Sequence, residues 1–141
     1  MNYNIILSIV LIFLPYEMEM REREIDNLIK GIAPDIVTMT TYKASETETD
    51  STPNITASGL KITNPKRQRI IAVSRDLKRK MKWGSKVRIV GAGKYDGTYR
   101  VHDLMNKRYK KRIDILIDKN DKQTKLKKVK IYKLWDSTTK S

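Results

Sequence analysis

The chain has 141 residues, enough for one domain of about 100 residues and an extension. It contains no cysteine and a single histidine, which excludes disulfides, thiolate metal sites and a zinc centre built from imidazoles, so neither a metal nor a cofactor is expected. Thirty Lys and Arg against sixteen Asp and Glu give a formal charge of +14 and a pI near 10.0, a field that attracts polyanions such as nucleic acid, an anionic membrane face or an anionic cell wall, or that keeps a small domain soluble.

Ile5 to Leu14 (IILSIVLIFL) is an unbroken apolar run followed by Pro15. A membrane-spanning helix needs roughly 20 such residues, whereas the apolar core of a signal peptide has this shorter length. No Lys or Arg precedes the run, and Tyr16, Glu17 and Met18 stand where a small-residue cleavage site would follow. Export or membrane tethering is the expectation, with a core strand or helix as the alternative. Residues 17–30 (EMEMREREIDNLIK) predict an exposed connecting helix. Glu17 and Glu19 precede Arg21 and Arg23 by four residues, and Gly31 and Pro34 end the pattern. Residues 1–34 therefore read as a signal- or anchor-like segment with a connecting helix.

From Asp35 the pattern changes to short β-branched runs. Ile36–Tyr42 (IVTMTTY), Arg69–Ser74 (RIIAVS) and Lys86–Val90 (KVRIV) predict strands, with a polar loop over 43–64 and one helical turn over 76–83 closed by Gly84. Asp96-Gly97, between GAGKY and TYRVH, predicts a hairpin. Arg112–Asp118 (RIDILID) and Lys128–Leu134 (KVKIYKL) complete six strands, which predict a mainly β domain over residues 35–135, closed as a small barrel, and a frayed tail over 136–141. Aspartate is depleted in strands, yet Asp114 interrupts a run of isoleucines. Alternation puts Ile113, Ile115 and Ile117 on one face and Arg112, Asp114 and Leu116 on the other. Asp114 then either belongs to a solvated face or floors a groove.

Four segments in order, TDSTPNITASG (Thr49 to Gly59), IAVSRDL (Ile71 to Leu77), VHDLMNKRYKKRIDI (Val101 to Ile115) and VKIYKL (Val129 to Leu134), resemble the three-aspartate (3D) domain of lytic transglycosylases. More distantly the chain is similar to rare lipoprotein A and expansins. The resemblance covers residues 36–134 and implies a six-stranded double-psi β-barrel. Of the three aspartates that name the family, the second falls on Asp103 and the third on Asp114, 114 − 103 = 11 residues apart. Ser74 stands in place of the first, and the family's DTGG reads Asp103-Leu104-Met105-Asn106 here.

The resemblance implies cleavage of peptidoglycan glycan strands, with Asp114 as general acid and base and Asp103 as the like charge that keeps it protonated and orients it. Thr56 and Ser58, in the match to the family's TASG, are groove-side hydroxyls for a sugar. Asp50 is a further binding residue or the acceptor of an Asx turn. Tyr109 is the candidate for stacking on a sugar, and Arg112 shares the face of Asp114. Asp103 has a plainer alternative, an ion pair with Lys107 or Arg108. His102, of opposite strand parity to Asp103, is expected to point away from it. Trp83 and Trp135 are read as core or edge packing. Partners are glycan strands, other anionic polymers and fellow virion proteins, for a protein that is exported, membrane-tethered or virion-associated. Two other readings remain: a barrel of the same fold that binds the wall or builds a virion without catalysis, which Ser74 and the missing glycines of the DTGG segment favour, and a basic nucleic-acid-binding barrel, favoured by charge and scattered aromatics.

Overall fold

The computed structural model describes residues 3–44 and 54–135, with side chains from residue 15 onward. The chain divides into two units, Met1–Ala33 and Pro34–Ser141. The first carries one helix, α1 (Tyr3–Ile29), which runs through Pro15 and so joins the apolar run to the charged segment. A proline ring inside a helix removes one backbone hydrogen bond, and here the helix continues on both sides of it. Arg23 donates to Glu19 at 2.6 Å, one of the two pairs the spacing predicts, at an exposed position where such a pair adds little. Among the described residues, no helix is long and apolar enough to cross a membrane.

The second unit is a closed barrel of six strands: β1 (Asp35–Lys43), β2 (Ile70–Val73), β3 (Lys86–Val90), β4 (Gly97–Leu104), β5 (Arg112–Ile117) and β6 (Lys125–Lys133). Around the barrel they run β1-β5-β2-β4-β3-β6. The pairs β1–β5 and β2–β4 are parallel and the other four antiparallel. The expected mainly β fold of six strands, closed and preceded by a helical extension, is the fold observed.

Two details differ from expectation. Arg69 does not begin β2 but sits before it in the left-handed region (φ 49°), and GAGKY is not a strand but a loop with a 3-10 turn at Gly93–Tyr95. The hairpin between β3 and β4 therefore has a six-residue loop, 91–96, in which Asp96 Oδ1 accepts from the Ala92 amide at 2.5 Å. Short helical turns α2 (Pro65–Gln68) and α3 (Arg75–Lys78) flank β2.

Apolar side chains from all six strands fill the barrel, among them Met39, Val73, Val87, Ile89, Val101, Val129 and Ile131. Ile113, Ile115 and Ile117 point into this interior as the alternation in RIDILI requires. A second, smaller cluster of Tyr42, Ile70, Ala72, Met105 and Leu116 lies on the other face of the wall. Leu60, Ile62 and Tyr109 pack against it. The loop over residues 54–62, pinned by the bridge Ile55↔Lys61, thus packs on the outside of the barrel.

At the entrance to β4, Gly97 has φ 148°, and a Cβ there would collide with the Arg69 guanidinium. That guanidinium is fixed by Nε donating to the Thr98 carbonyl at 3.2 Å and by lying 4.3 Å over the Tyr99 ring. Gly97→Ala should lower unfolding free energy in urea by about 1–3 kcal/mol, from backbone strain and the displaced arginine together. Adding Arg69→Ala should make the two losses less than additive. Strict additivity would show that the close approach carries no energy.

Candidate functional site

The site grows from one row of residues across the outer wall. Thr40 on β1 stands opposite Asp114 on β5, Asp114 opposite Ala72 on β2, and Ala72 opposite Asp103 on β4. With strands about 5 Å apart, the two aspartate backbones are separated by roughly 10 Å. The residue between them is alanine, buried in the outer cluster. Asp114 and Asp103 are both half-buried.

Asp103 reaches this row because of a β-bulge. The register of β2 and β4 passes from Ile71↔Val101 to Ala72↔Asp103, so His102 is an extra residue on β4. Unbroken alternation would send Asp103 to the same side as Val101, into the apolar interior. The bulge turns it outward. The same bulge corrects the expectation that His102 and Asp103 diverge, since both reach the loop over residues 56–58. His102 Nδ1 lies 3.0 Å from Ser58 Oγ, and the Ala57 amide donates to Asp103 Oδ1 at 3.0 Å.

Asp103 is held by three donors: the Ala57 amide, its neighbour's Leu104 amide at 3.0 Å, and the Tyr42 hydroxyl, which donates to Oδ2 at 2.8 Å. These donors, rather than the alternative ion pair with Lys107 or Arg108, hold the carboxylate, and Arg108 donates to the Tyr109 hydroxyl at 2.7 Å. Burial, then the charge of Asp103 and its hydrogen bond, then the charge of Asp114, hold the Tyr42 hydroxyl far above the ordinary tyrosine range. Tyr42 therefore senses both carboxylates. Burial, followed by the nearby Arg100 charge, pushes His102 below its usual value, so it is neutral at pH 7.

Thr56 and Ser58 stand beside Asp103 in a tight turn closed by Gly59 at φ 86°. Thr56 Oγ1 accepts from the Leu60 amide at 3.1 Å and lies 3.0 Å from Ser58 Oγ, so both hydroxyls take part in bonds within the chain. Tyr109 and Arg112 lie elsewhere on the outer cluster. The guanidiniums of Arg112 and Arg108 sit 4.5 and 4.7 Å from the Tyr109 ring centroid. That ring, the candidate for stacking on a sugar, is thus already in contact with two cations. Asp50 lies outside the described residues. Trp135 is 94 % exposed and Trp83 half-covered by Lys78 at 4.1 Å, so the packing role expected for Trp135 is not observed.

Ser74, where the family's first aspartate would stand, is fully buried. Its Oγ accepts from the Arg112 amide at 3.1 Å and its amide donates to the Arg112 carbonyl at 2.9 Å. Asp76 Oδ2 accepts from the Lys111 amide at 2.9 Å. Burial raises the Asp76 carboxyl, but hydrogen bonds from Ser74 and the backbone outweigh it and leave the group below the ordinary range. Ser74 and Asp76 together fasten the start of β5, the strand that carries Asp114.

A separate cleft of about 280 Å³ lies at the other end of β5, lined by Arg69, Tyr95, Tyr99, Ile117 and Asp118 among others. Sequence reasoning missed Tyr42, whose parity on β1 matches that of Thr40 and gave a usable signal. It also missed the approach of His102 to Ser58, for which no signal exists without the bulge.

Tyr42 yields a pH prediction. Its folded value is raised above the 10.0 of a free tyrosine, so its contribution to stability is complete below pH 10 and is lost as pH rises beyond it. Alkaline absorbance titration should show tyrosines ionising late, Tyr42 among them beside the buried and likewise raised Tyr99, and Tyr42→Phe should remove one tyrosine from that late component while costing about 1–2 kcal/mol from the lost bond to a carboxylate. A full complement of tyrosines titrating near pH 10 in the folded protein would contradict the Tyr42–Asp103 bond. No family model, no curated protein and no solved structure matches this chain.

Proposed function

We propose that the barrel cuts the glycan strands of peptidoglycan as a lytic transglycosylase, with the double-psi connectivity of the three-aspartate domains, in an exported, membrane-tethered or virion-associated protein. The observation that supports this reading is the row in which Asp114 and Asp103 flank Ala72 on one outer face, with Asp103 fixed by Tyr42 and two amides. Asp114, in its protonated form, donates to the glycosidic oxygen as the C1–O4 bond breaks. The resulting carboxylate takes the proton of the muramic 6-hydroxyl as that oxygen closes on C1. The products are a 1,6-anhydro sugar and a free 4-hydroxyl, and no water is consumed. One carboxyl group serves both halves, unlike the paired carboxylates of most glycosidases. A like charge nearby favours the protonated state that the first half requires, and Asp103 supplies it. Its three donors hold the Asp103 carboxylate stationary while Asp114 changes state.

A second reading, glycan binding or a virion role without cleavage, draws on Ser74. The family's first carboxylate is absent, and the residue in its place is engaged with the backbone of β5.

Incubating the full chain with purified sacculi and analysing the soluble fraction by mass spectrometry separates the two. Cleavage should release anhydro-muropeptides. Asp114→Asn should reduce their release by at least ~100-fold, the scale of losing a general acid, with unfolding free energy changed by under about 1 kcal/mol. Sacculus binding without release by the wild type would establish the second reading, and full activity in Asp114→Asn would remove Asp114 from the mechanism.

A further inference from the structure

Between residues 119 and 133 the chain carries seven lysines, and residues 118–133 together carry a net +5 of the whole chain's +14. All seven are exposed. Two ion pairs join Glu19 to Arg23 and Asp35 to Lys80, neither of them with a lysine of β6. Four of the seven, Lys125, Lys127, Lys128 and Lys130, project from the outer side of β6.

They share that side because of a second bulge. The register of β1 and β6 passes from Val37↔Val129 to Met39↔Leu126, so Lys127 and Lys128 together face Thr38 alone. Leu126 packs against the barrel interior and Val129 is buried within it, three positions apart. Simple alternation from Leu126 would turn Lys128 and Lys130 inward. The bulge turns them out instead, and sets two adjacent lysines on the same exposed side.

Lys128 adopts φ 58° to do this. A residue with a Cβ is strained by on the order of 1 kcal/mol there, and glycine or asparagine would take the position more easily. The strand thus holds a lysine where its backbone conformation favours glycine or asparagine. Alternate side chains along a strand recur about every 6.7 Å, on the scale of one repeat of an extended phosphodiester chain.

We propose that the outer face of β6 binds a linear phosphodiester polymer, with Lys125, Lys127, Lys128 and Lys130 meeting successive phosphates. Each contact releases a counterion from the polymer, so affinity falls with salt in proportion to the number of contacts. Neither Asp103 nor Asp114 takes part.

The test is fluorescence anisotropy of the full chain against two labelled polymers, poly(glycerol phosphate) and an oligodeoxythymidylate, each over a series of salt concentrations. Binding of either is expected, and the polymer that binds identifies whether the source is a wall polymer or a nucleic acid. Binding of both would mean that the repeating phosphate alone is read. Replacing Lys127, Lys128 and Lys130 by Gln should make the slope of log K against log salt shallower by about 2, and Lys128→Gly by about 0.7. Lys128→Gly should do so without lowering Tm, because glycine relieves the strained conformation. A matched variant with Lys61, Lys107 and Lys110 replaced by Gln removes the same charge elsewhere and should leave the slope nearly intact. Binding of neither polymer, or an equal loss in the matched variant, would overturn the proposal.

Discussion

The barrel interior is filled by apolar and tyrosine side chains and holds no charge, and the placement of the carboxylates and lysines on the wall depends on that exclusion. Side chains of a strand alternate strictly between two faces, so a carboxylate or a lysine can leave the interior phase only if the strand gains a residue. β4 gains His102 and β6 gains one residue at Lys127–Lys128. Each bulge reverses the phase of the residues beyond it. In β4 it carries Asp103 outward beside Ala72, and in β6 it carries Lys128 and Lys130 away from a core that contains Val129 and Ile131. An aspartate in the apolar interior would need a partner or lose its charge, at a cost of several kcal/mol.

The outer polar face is then organised by hydrogen bonds that cross between strands. Asp103 draws the segment around Ala57 onto β4, and Tyr42 ties β1 to β4 across the two strands between them. At the far side of the outer cluster, Ser74 and Asp76 hold the backbone at Lys111 and Arg112. Asp114 sits between these two anchored regions, on a strand whose start is fixed by backbone bonds. In the proposed cleavage this support would keep the proton carried by Asp114 at a defined position.

Much of this was legible in residue order. β-Branched runs marked five of the six strands to within a few residues, and the phase of Ile113, Ile115 and Ile117 followed from alternation alone. The helical character of residues 17–30 was also plain, although the extension of α1 through Pro15 was not, since proline ordinarily signals a boundary. GAGKY reads as a strand end, yet its two glycines adopt positive φ and its chain turns as a 3-10 segment. The bulges had no local signal. A bulge is a property of a strand pair, set by which register buries the most apolar surface, and neither His102 nor Lys128 announces it in composition. The environment of Tyr109 was hidden for a similar reason: the cations over its ring come from positions 108 and 112, and sequence does not show which way a loop turns its side chains.

Closure of the sheet has a consequence for how copies of this chain meet one another and their surroundings. An open sheet ends in a row of unpaired amides and carbonyls onto which another strand can add, the route to edge-to-edge stacking and fibre growth. Here β6 pairs with both β1 and β3, and the ring β1-β5-β2-β4-β3-β6 leaves no terminal strand. Strand addition is therefore closed to the barrel, and recognition there must pass through side chains and loops. A surface rich in exposed lysines adds mutual repulsion, so even densely gathered barrels meet each other as like-charged, edgeless bodies.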